Sequence, residues 1–368
     1  MGQYEMLDDT QALDRLQRML KGDLDLGWQK GERAQIDVQL ATPDKGLTFM
    51  DTNVEPYGFD WAMQQVRGRT CEAPRGALQA AGVDYPDLGF TVNEMSEAWA
   101  YKTVKLYEEA KARQWNATTD LPWSDLDTYE IPDVLEKSFC QVCTSLSEVE
   151  MVATEVPARW GSVMSPEFME VKCFMYTQAV DEVRHTEIFR KRALSAQGLF
   201  QPSRKFEEVV KAIGEADTFS EASIVLHLVA EGFVLSMFRH AEFIAPTEFD
   251  KKMMRFIMQD EARHVGYGMQ HLAWVLDHDP SKREVIHKIM DEAESINIGV
   301  FTSPEMVEPL IILAGQGTKK ENIEQGIQIT KALLAQQVEE LFQRCDRAGL
   351  TDRRQRSKLP EVLQMLAG

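Results

Sequence analysis

The sequence predicts an all-α protein in which a helical bundle carries additional helices at both ends. From Thr91 onward, apolar residues recur at helical spacing in segments long enough to be core helices. Strand patterns are almost absent, because short β-branched runs such as Val285-Ile286 fall inside helical segments and do not alternate with polar residues. With 368 residues, of which 44% are hydrophobic and 27% charged, the chain has an ordinary globular composition and can bury a sizeable core.

The chain divides into three parts by its pattern. Residues 1–90 are the least periodic, with scattered Gly, Pro and Asp and one amphipathic helix expected at Thr10–Leu20. We expect them to form an N-terminal extension packed on the bundle. Residues 91–300 are the predicted bundle, and residues 301–368 are predicted C-terminal helices that end in a basic stretch at Arg353–Lys358.

The longer helices follow from apolar periodicity and from breaks at proline and glycine. Pro122 lies in a predicted loop, and the breaks at 161–166 and at Ala245-Pro246 are expected to place consecutive helices antiparallel. The expected helices cover Val92–Gln114, Pro132–Trp160, Pro166–Ser195, Ser220–Ala245, Pro246–Leu276, Ser281–Ile296, Ser303–Ala314 and Lys319–Ala348.

Charge and cysteine content narrow the class of protein. The net charge of −19 argues against nonspecific binding to nucleic acid or to an anionic membrane. The segment Met1–Thr10 lacks the order of a secretory signal, and no run of about 18 apolar residues occurs, so we expect a cytoplasmic protein. Five cysteines without a dense framework fit reduced thiols, and Cys140 and Cys143 are expected to pack in the core.

Two copies of one motif, Asp-Glu-x-Arg-His, carry the expected chemistry. Asp181–His185 and Asp260–His264 both match it, and each copy lies inside a predicted long helix. A Glu and a His three residues apart share one helix face, so each copy suits one metal ion. Bundles that bind two metals use two such pairs plus one acid from each of two further helices. The predicted ligands from the motifs are Glu182, His185, Glu261 and His264.

The other charged residues of the motifs suit the surroundings of the same site. Carboxylates orient the imidazoles of metal ligands, and cations balance buried acids. We therefore expect Asp181, Arg184, Asp260 and Arg263 to hydrogen-bond around the ligands.

Each remaining acid should precede its motif by one helix and one loop, about 30 to 35 residues. Glu231 stands 30 residues before Glu261. Its surroundings are apolar nearly all round, so an isolated carboxylate there would be costly unless it were metal-bound or protonated. Glu231 is therefore the third predicted acid ligand.

The acid that belongs with Glu182 has three candidates, Glu148 at 34 residues, Glu150 at 32 and Glu155 at 27. The apolar stripe of this helix favours Glu150, which lies closer to its centre at roughly 100° per residue. A polar face at Gln141, Thr144 and Ser145 would instead accommodate Glu148 if that face turned toward the metals.

These motifs resemble the metal-binding helices of the ferritin-like superfamily, which includes ribonucleotide-reductase small subunits, the related ligand-binding oxidases and bacterial multicomponent monooxygenase hydroxylases. The resemblance covers about Phe139 to Gly268. It implies a ferritin-like four-helix bundle core, a pair of metals (Fe/Fe or Mn/Fe) and O2 as co-substrate, because carboxylate-rich sites with one imidazole per metal suit these ions. In the ligand-binding oxidases the first acid precedes a proline by nine residues, as Glu148 precedes Pro157, so we prefer Glu148 and hold Glu150 in reserve.

The chain departs from each subfamily at one characteristic residue. Phe189 stands where the reductase subunit has its radical tyrosine, Leu235 replaces a threonine of the monooxygenases, and Leu226 replaces the crosslinking tyrosine of the oxidases. His227, one turn before Glu231, is an additional candidate ligand, since some N-oxygenating di-iron enzymes carry a third histidine. A buried hydrogen-bonding role is favoured for His227.

The leading hypothesis is a non-haem di-iron oxidoreductase, of oxygenase, hydroxylase or N-oxygenase type, that oxidises a small organic substrate with O2. Because no dinucleotide-binding motif occurs in the sequence, we expect an external electron donor such as a reductase or ferredoxin. We also expect no catalytic residues beyond the metal ligands, and a homodimer. The alternatives are a ferroxidase that handles iron, a Mn/Fe ligand-binding oxidase, and a metal-free helical interaction protein. The last would leave several buried glutamates uncompensated.

Overall fold

The computed structural model describes residues 9–30, 89–92, 95–164 and 168–367. The rest of the predicted N-terminal extension, and the first residues of the helix expected at Pro166–Ser195, lie outside the described residues. Within the described part, the chain is built from helices and the turns between them, as the sequence predicts.

The helices follow one another along the chain with few irregular segments. Four of the described α-helices begin at a side-chain cap: Asp9 accepts a hydrogen bond from the Ala12 amide, Ser203 from Lys205, Thr218 from Glu221, and Thr247 from Asp250. The α-helices are α1 (Thr10–Leu20), α2 (Met95–Ala98), α3 (Thr103–Ala112), α4 (Asp133–Val163), α5 (Met169–Leu194), α6 (Arg204–Gly214), α7 (Phe219–Ser223), α8 (Glu231–Ile244), α9 (Glu248–His278), α10 (Arg283–Val300), α11 (Pro304–Gly315), α12 (Lys320–Arg347), α13 (Arg353–Arg356) and α14 (Leu359–Ala367).

Four long helical segments form the bundle. Helix α4 packs along α5, and α8 packs along α9. The C-terminal helices complete the core, since α11 contacts α4 and α12 contacts α8. The two motif helices, α5 and α9, therefore lie inside the protein, where apolar side chains surround them.

The described part of the N-terminal extension is attached to the C-terminal helices. Helix α1 contacts α11. After it, the buried carboxylate of Glu308 in α11 accepts hydrogen bonds from the Leu26 amide at 2.7 Å and from Trp28 Nε1 at 3.0 Å. The two ends of the chain thus meet on the same side of the bundle.

One predicted helix is broken, and one helix was not predicted. The helix expected at Val92–Gln114 is broken after α2, where Lys102 has a left-handed backbone with φ of 61°. The residues at the break place the rings of Trp99 and Tyr101 against Trp274 of α9, with centroids 6.4 and 5.2 Å apart, and this aromatic packing interrupts the helix. Helix α6 was not predicted, although Ser203 caps its first turn.

The helix expected at Ser220–Ala245 is present but changes its hydrogen bonding. Between α7 and α8, Ile224–Ala230 forms a π-helix, which ends directly before Glu231. The segment Phe219–Ile244 is long and apolar enough to cross a membrane, yet 83% of its most apolar window is buried within the fold. Helices α10 and α11 pass the same test only together, across a bend of 63°. The length, apolarity and burial of Phe219–Ile244 are those of a core helix in a bundle.

Candidate metal centre

The two motifs face each other across the interior of the bundle. Each helix presents its Glu and His on one face, as the three-residue spacing predicts. The side chains of these four residues are at most 1% exposed. Two overlapping sets of possible metal ligands result, and in each set one ligand atom per residue lies within 4.8 Å of the others. The sets are Glu150, Glu182, His185 and Glu261, and Glu182, Glu231, Glu261 and His264.

The Nδ1 atoms of both histidines point at the shared carboxylates. His185 Nδ1 lies 3.2 Å from Glu182 Oε2 and 3.1 Å from Glu261 Oε1. His264 Nδ1 lies 2.9 Å from Glu182 Oε1 and 3.6 Å from Glu261 Oε2. Glu182 and Glu261 therefore stand between the two imidazoles, where a carboxylate can serve two ions at once.

Several buried atoms at this centre have no hydrogen-bond partner. Some of the close approaches between Nδ1 and the carboxylate oxygens do not have the geometry of a hydrogen bond. A buried polar atom without a partner destabilises the folded protein by on the order of 1–3 kcal/mol. The atoms without a partner are Glu150 Oε1, Glu231 Oε2, both Glu261 oxygens and His264 Nδ1. Divalent cations among these atoms would satisfy all of them, so the donor set fits two metal ions.

Burial and mutual contact shift the pKa values of the cluster. Burial raises the pKa of Glu150 and Glu231 well above the usual value. Burial also acts on Glu182, but the two imidazoles outweigh it and hold the pKa of Glu182 well below its usual value. The pKa values of His185 and His264 are raised well above normal, because their carboxylate partners outweigh burial.

The preferred first ligand from the sequence, Glu148, is not part of either set, and Glu150 takes its place. The two residues are two positions apart on α4 and so point about 200° apart, which allows only one of them to face the metals. Glu148 instead accepts a hydrogen bond from the Ser203 backbone, and burial raises its pKa to about 8. The expectation for Glu148 is therefore corrected to Glu150.

Glu148 lies away from the ligand sets because the polar face of α4 packs against another segment of the chain. Thr144 accepts a hydrogen bond from the Phe200 amide at 3.0 Å, and Gln141 bonds both the amide and the carbonyl of Gln201. The polar face thus packs against the segment that follows α5 and turns away from the metal ligands.

The charged flanks of the motifs cross between the two helices. Asp260 Oδ2 lies 3.1 Å from Nε2 of His185, and Asp181 Oδ2 lies 3.4 Å from Nε2 of His264. Arg184 donates to Asp260 at 2.8 Å, and Arg263 donates to Asp181 at 2.8 Å. A carboxylate that accepts from Nε2 leaves the Nδ1 lone pair available to a metal, so these contacts set the required tautomer.

Burial alone would raise the pKa values of Asp181 and Asp260. The histidine and arginine partners outweigh it and hold both pKa values below the usual range. Both carboxylates are therefore charged and accept hydrogen bonds only.

Trp115 is a neighbour of this site that sequence reasoning missed. Its Nε1 donates to Asp260 Oδ2 at 2.7 Å, the same oxygen that faces His185. Its ring stacks on Phe256 with centroids 5.2 Å apart, and the Arg184 guanidinium lies 4.7 Å from the Trp115 ring. A single tryptophan after α3 belongs to no motif, so the sequence carried no signal for this contact.

His227 belongs to neither ligand set. Its Nε2 lies 2.9 Å from Gln178 Oε1, and its Nδ1 lies 2.9 Å from Ser223 Oγ, so both ring nitrogens already have partners. Burial lowers the pKa of His227 to about 3, which keeps the ring neutral. The favoured expectation, a buried hydrogen-bonding role, agrees with this geometry.

Known proteins were compared with the chain by sequence and by structure. No known family model matches the sequence, and no curated protein matches it. Among solved structures, a single-residue variant of an R2-like ligand-binding oxidase with a Mn/Fe cofactor superposes with a TM-score of 0.52 at 19% identity, covering 68% of this chain and 94% of that chain. The same type of oxidase after photoconversion gives 0.52 at 18% identity, and a further variant with an Fe/Fe cofactor gives 0.51 at 18%, with the same coverage.

The fold is ferritin-like. The prediction of a ferritin-like bundle with additional helices at both ends is therefore confirmed for the described residues. In this ferritin-like bundle, α4, α5, α8 and α9 each supply at least one residue of the ligand sets.

An apolar cavity lies between α4, α8 and the C-terminal helices, at the level of Glu150 and Glu231 along α4 and α8, and no residue of the ligand sets lines it. Its volume is about 40 Å³, and it is partly open to solvent. One lining residue, Ala230, directly precedes Glu231, and another, Leu146, lies one turn before Glu150. The C-terminal helices form the opposite wall. The lining residues are Leu146, Val149, Val209, Ala230, Phe233, Val234, Met237, Asn297, Val300, Phe301, Met306 and Gln337.

Gln337 is one of two amide side chains in this wall. Its Nε2 donates to the Phe233 carbonyl at 2.9 Å, which fixes the orientation of the amide group. Its Oε1 is buried and has no hydrogen-bond partner. The cavity therefore combines apolar walls with one unsatisfied acceptor.

Proposed function

We propose that the protein is an O2-activating oxidoreductase with a two-metal centre, Fe/Fe or Mn/Fe, that oxidises a small organic substrate. The observation that carries the proposal is the pair of overlapping ligand sets, in which five buried oxygen and nitrogen atoms have no hydrogen-bond partner. Four carboxylates and two neutral imidazoles also balance the charge of two divalent cations, which removes the cost of burying so many acids.

The residues divide naturally between two ions. Glu150 and His185 would hold one, Glu231 and His264 would hold the other, and Glu182 and Glu261 would serve both. Such a pair of ions, rich in carboxylate ligands, supplies the electrons and the Lewis acidity for reaction with O2.

The surrounding residues orient the ligands. Asp260 and Asp181 accept the Nε2 protons of the two imidazoles and present Nδ1 to the ions. Arg184 and Arg263 neutralise these aspartates, so that buried negative charge does not accumulate behind the ligands. No catalytic residue beyond the metal ligands is assigned.

The substrate we propose is apolar with one hydrogen-bond donor. The walls of the cavity beside Glu150 and Glu231 are apolar and would exclude water from a bound molecule. The unpartnered Oε1 of Gln337 would accept a hydrogen bond from a hydroxyl or N–H group on that molecule. Oxygenation, hydroxylation and N-oxygenation all suit such a substrate.

The remaining parts of the proposal concern the localisation, the oligomeric state and the partners of the protein. We propose a soluble cytoplasmic homodimer that receives electrons from an external reductase or ferredoxin and does not bind nucleic acid or membranes. The burial of the apolar segment Phe219–Ile244 supports a soluble protein.

The test is anaerobic loading with Fe(II), or with Mn(II) and Fe(II), followed by elemental analysis and exposure to O2. We expect two metals per chain and O2 consumption that rises when an apolar substrate and a reductant are present. Fewer than two metals per chain would contradict the proposal of a two-metal centre. O2 consumption that depends only on Fe(II), with release of Fe(III), would instead support a ferroxidase that handles iron.

A Mn/Fe ligand-binding oxidase is the second candidate, and the solved structures with Mn/Fe cofactors favour it. Loading with equal amounts of Mn(II) and Fe(II) separates the Mn/Fe form of the centre from the di-iron form. Retention of one Mn and one Fe per chain after O2 exposure supports the Mn/Fe form, and retention of Fe alone supports the di-iron form.

A further inference from the structure

A line of buried hydrogen bonds runs from the π-helix to the ligand sets. Gln178 lies one turn before Glu182 on α5, and its Nε2 donates to Glu231 Oε1 at 2.7 Å and to Glu182 Oε1 at 3.3 Å. On its other side, Gln178 Oε1 lies 2.9 Å from His227 Nε2, and His227 Nδ1 lies 2.9 Å from Ser223 Oγ. Gln178, His227 and Ser223 are fully buried.

The chemistry of the groups sets the direction of each hydrogen bond in this line. The Gln178 amide turns its NH2 group toward Glu231 and Glu182, because an amide oxygen in that place would face the Glu182 carboxylate, which accepts hydrogen bonds and does not donate them. His227 Nε2 must then donate to the amide oxygen. Since a neutral imidazole has one donor and one acceptor, Nδ1 accepts from the Ser223 hydroxyl. Every donor in the line points toward the carboxylates.

Local packing holds His227 in place. A Cβ added to Gly268 would lie 2.6 Å from Cβ of His227, so α9 approaches the π-helix at this point as closely as a glycine allows. The edge of the Tyr267 ring closes the space beside the imidazole, with ring centroids 5.3 Å apart. Single π-helical turns within α-helices occur frequently at functional sites, and this one ends directly before Glu231.

We propose that Gln178, oriented by His227 and Ser223, is a positioning residue that holds the Glu231 carboxylate in one orientation for the metal centre. This inference rests on the proposed function. Glu231 has one oxygen bonded to Gln178 and one without a hydrogen-bond partner, so the Gln178 contact restrains its rotation. His227 acts only through Gln178 and binds no metal.

The test compares two variants that lose the same chemical group. Gln178→Leu removes the contact with Glu231. Gln141→Leu is the matched control, because Gln141 is also fully buried and also bonds neighbouring groups, but lies in the first turns of α4 away from the ligand sets. Each protein is titrated anaerobically with Co(II), whose visible spectrum depends on the number and geometry of its ligands.

We expect wild-type protein and Gln141→Leu to bind two Co(II) with the same spectrum. Gln178→Leu should bind one of the two ions about 10- to 100-fold more weakly and show a changed spectrum, since partners that orient ligands contribute about this much to metal affinity. Equal affinity and an unchanged spectrum in Gln178→Leu would overturn the proposal. Thermal unfolding of the metal-free variants checks that they fold.

A second pair of variants tests the role of His227. His227→Gln keeps an N–H donor toward Gln178, whereas His227→Leu does not. We expect the spectrum and affinity of His227→Gln to resemble the wild type, and those of His227→Leu to resemble Gln178→Leu. If both variants lost one Co(II) completely, His227 would be a ligand and the proposal would be wrong.

A third test uses only the wild-type protein, so its result does not depend on whether a variant folds. Histidine 15N NMR of the metal-free chain should show the His227 proton on Nε2, and a proton on Nδ1 would overturn the proposed direction of the hydrogen bonds. If the wild-type chain bound fewer than two Co(II), the proposed function would fail and this inference with it. If it bound two and Gln178→Leu behaved as wild type, this inference alone would fail.

Discussion

The Nε2 atom of His185 lies 3.1 Å from Oδ2 of Asp260, a residue of the other motif helix. The reciprocal contact joins His264 to Asp181 at 3.4 Å. Each copy of Asp-Glu-x-Arg-His therefore contains two residues of the candidate ligand sets and also the carboxylate that faces the histidine of the other copy. This crossing explains why the Asp and the His occur in both copies, and it makes the two helices one functional unit.

Asp260→Asn is expected to weaken metal binding about 10- to 100-fold, because a neutral amide orients the His185 imidazole less well than a carboxylate does. Competition with a coloured chelator for Co(II) measures the affinity. Asp250→Asn is the matched control, since Asp250 is also fully buried but pairs with Arg192 and contacts no ligand. A similar loss of affinity in both variants would contradict the prediction.

Glu150→Ala is expected to lower the metal content from two ions per chain to one, because Glu150 belongs to only one of the two ligand sets. Glu148→Ala is expected to leave both ions in place, since Glu148 bonds the Ser203 backbone. Elemental analysis after anaerobic loading measures both outcomes. The assignment is wrong if Glu148→Ala loses an ion and Glu150→Ala keeps two.

The contrast between these two glutamates marks the limit of prediction from the sequence. The motifs, their helices and the spacing to Glu231 are local or nearly local patterns, and the structure brings those residues together. The face of α4 that turns to the metals depends on which segment covers its polar side, and that partner is the chain after α5, bonded to Thr144. Apolar periodicity favoured Glu150, which belongs to a candidate ligand set, and the spacing taken from a resembling family favoured Glu148, which does not.

Two other residues near the site could not be predicted from the sequence, for the same reason. Trp115 and Gln178 contact the site from outside the motifs, and their partners, Asp260 and Glu231, are far away in sequence. The break before α3 also depends on a distant partner, the ring of Trp274. Contacts between helices decide these features, and a single sequence does not encode them as a repeating pattern.

The stability of the metal-free protein is expected to fall as pH rises above about 6.5, the usual pKa of histidine. Burial alone would lower the pKa values of His185 and His264, but their carboxylate partners raise both well above normal. A raised folded-state pKa stabilises the fold fully below the unfolded-state pKa, and this contribution is lost as pH rises through the folded-state pKa.

Metal binding should reverse this trend, because ligands bind metal in their deprotonated forms. The rise in Tm caused by Co(II) is therefore expected to be larger near pH ~8 than near pH ~6. Thermal unfolding with and without Co(II) at the two pH values measures it. A rise in Tm that is the same at both would argue that the histidines do not bind the metal.

Filling the apolar cavity is expected to block ligand access without disturbing the metals. Val300→Phe places a larger side chain in the wall formed by α10, far in sequence from every metal ligand, at a stability cost of about 1–3 kcal/mol. Xenon, which enters apolar cavities, is a suitable probe, and its NMR shift should report binding to the wild type but not to Val300→Phe. Val285→Phe is the control, because Val285 lies on the same helix and is 56% exposed.

If Val300→Phe still bound xenon as the wild type does, the cavity would not be the apolar site that we propose for the substrate. If it bound no xenon, kept two Co(II) and lost substrate oxidation while Val285→Phe retained it, the cavity beside Glu231 would be the substrate site.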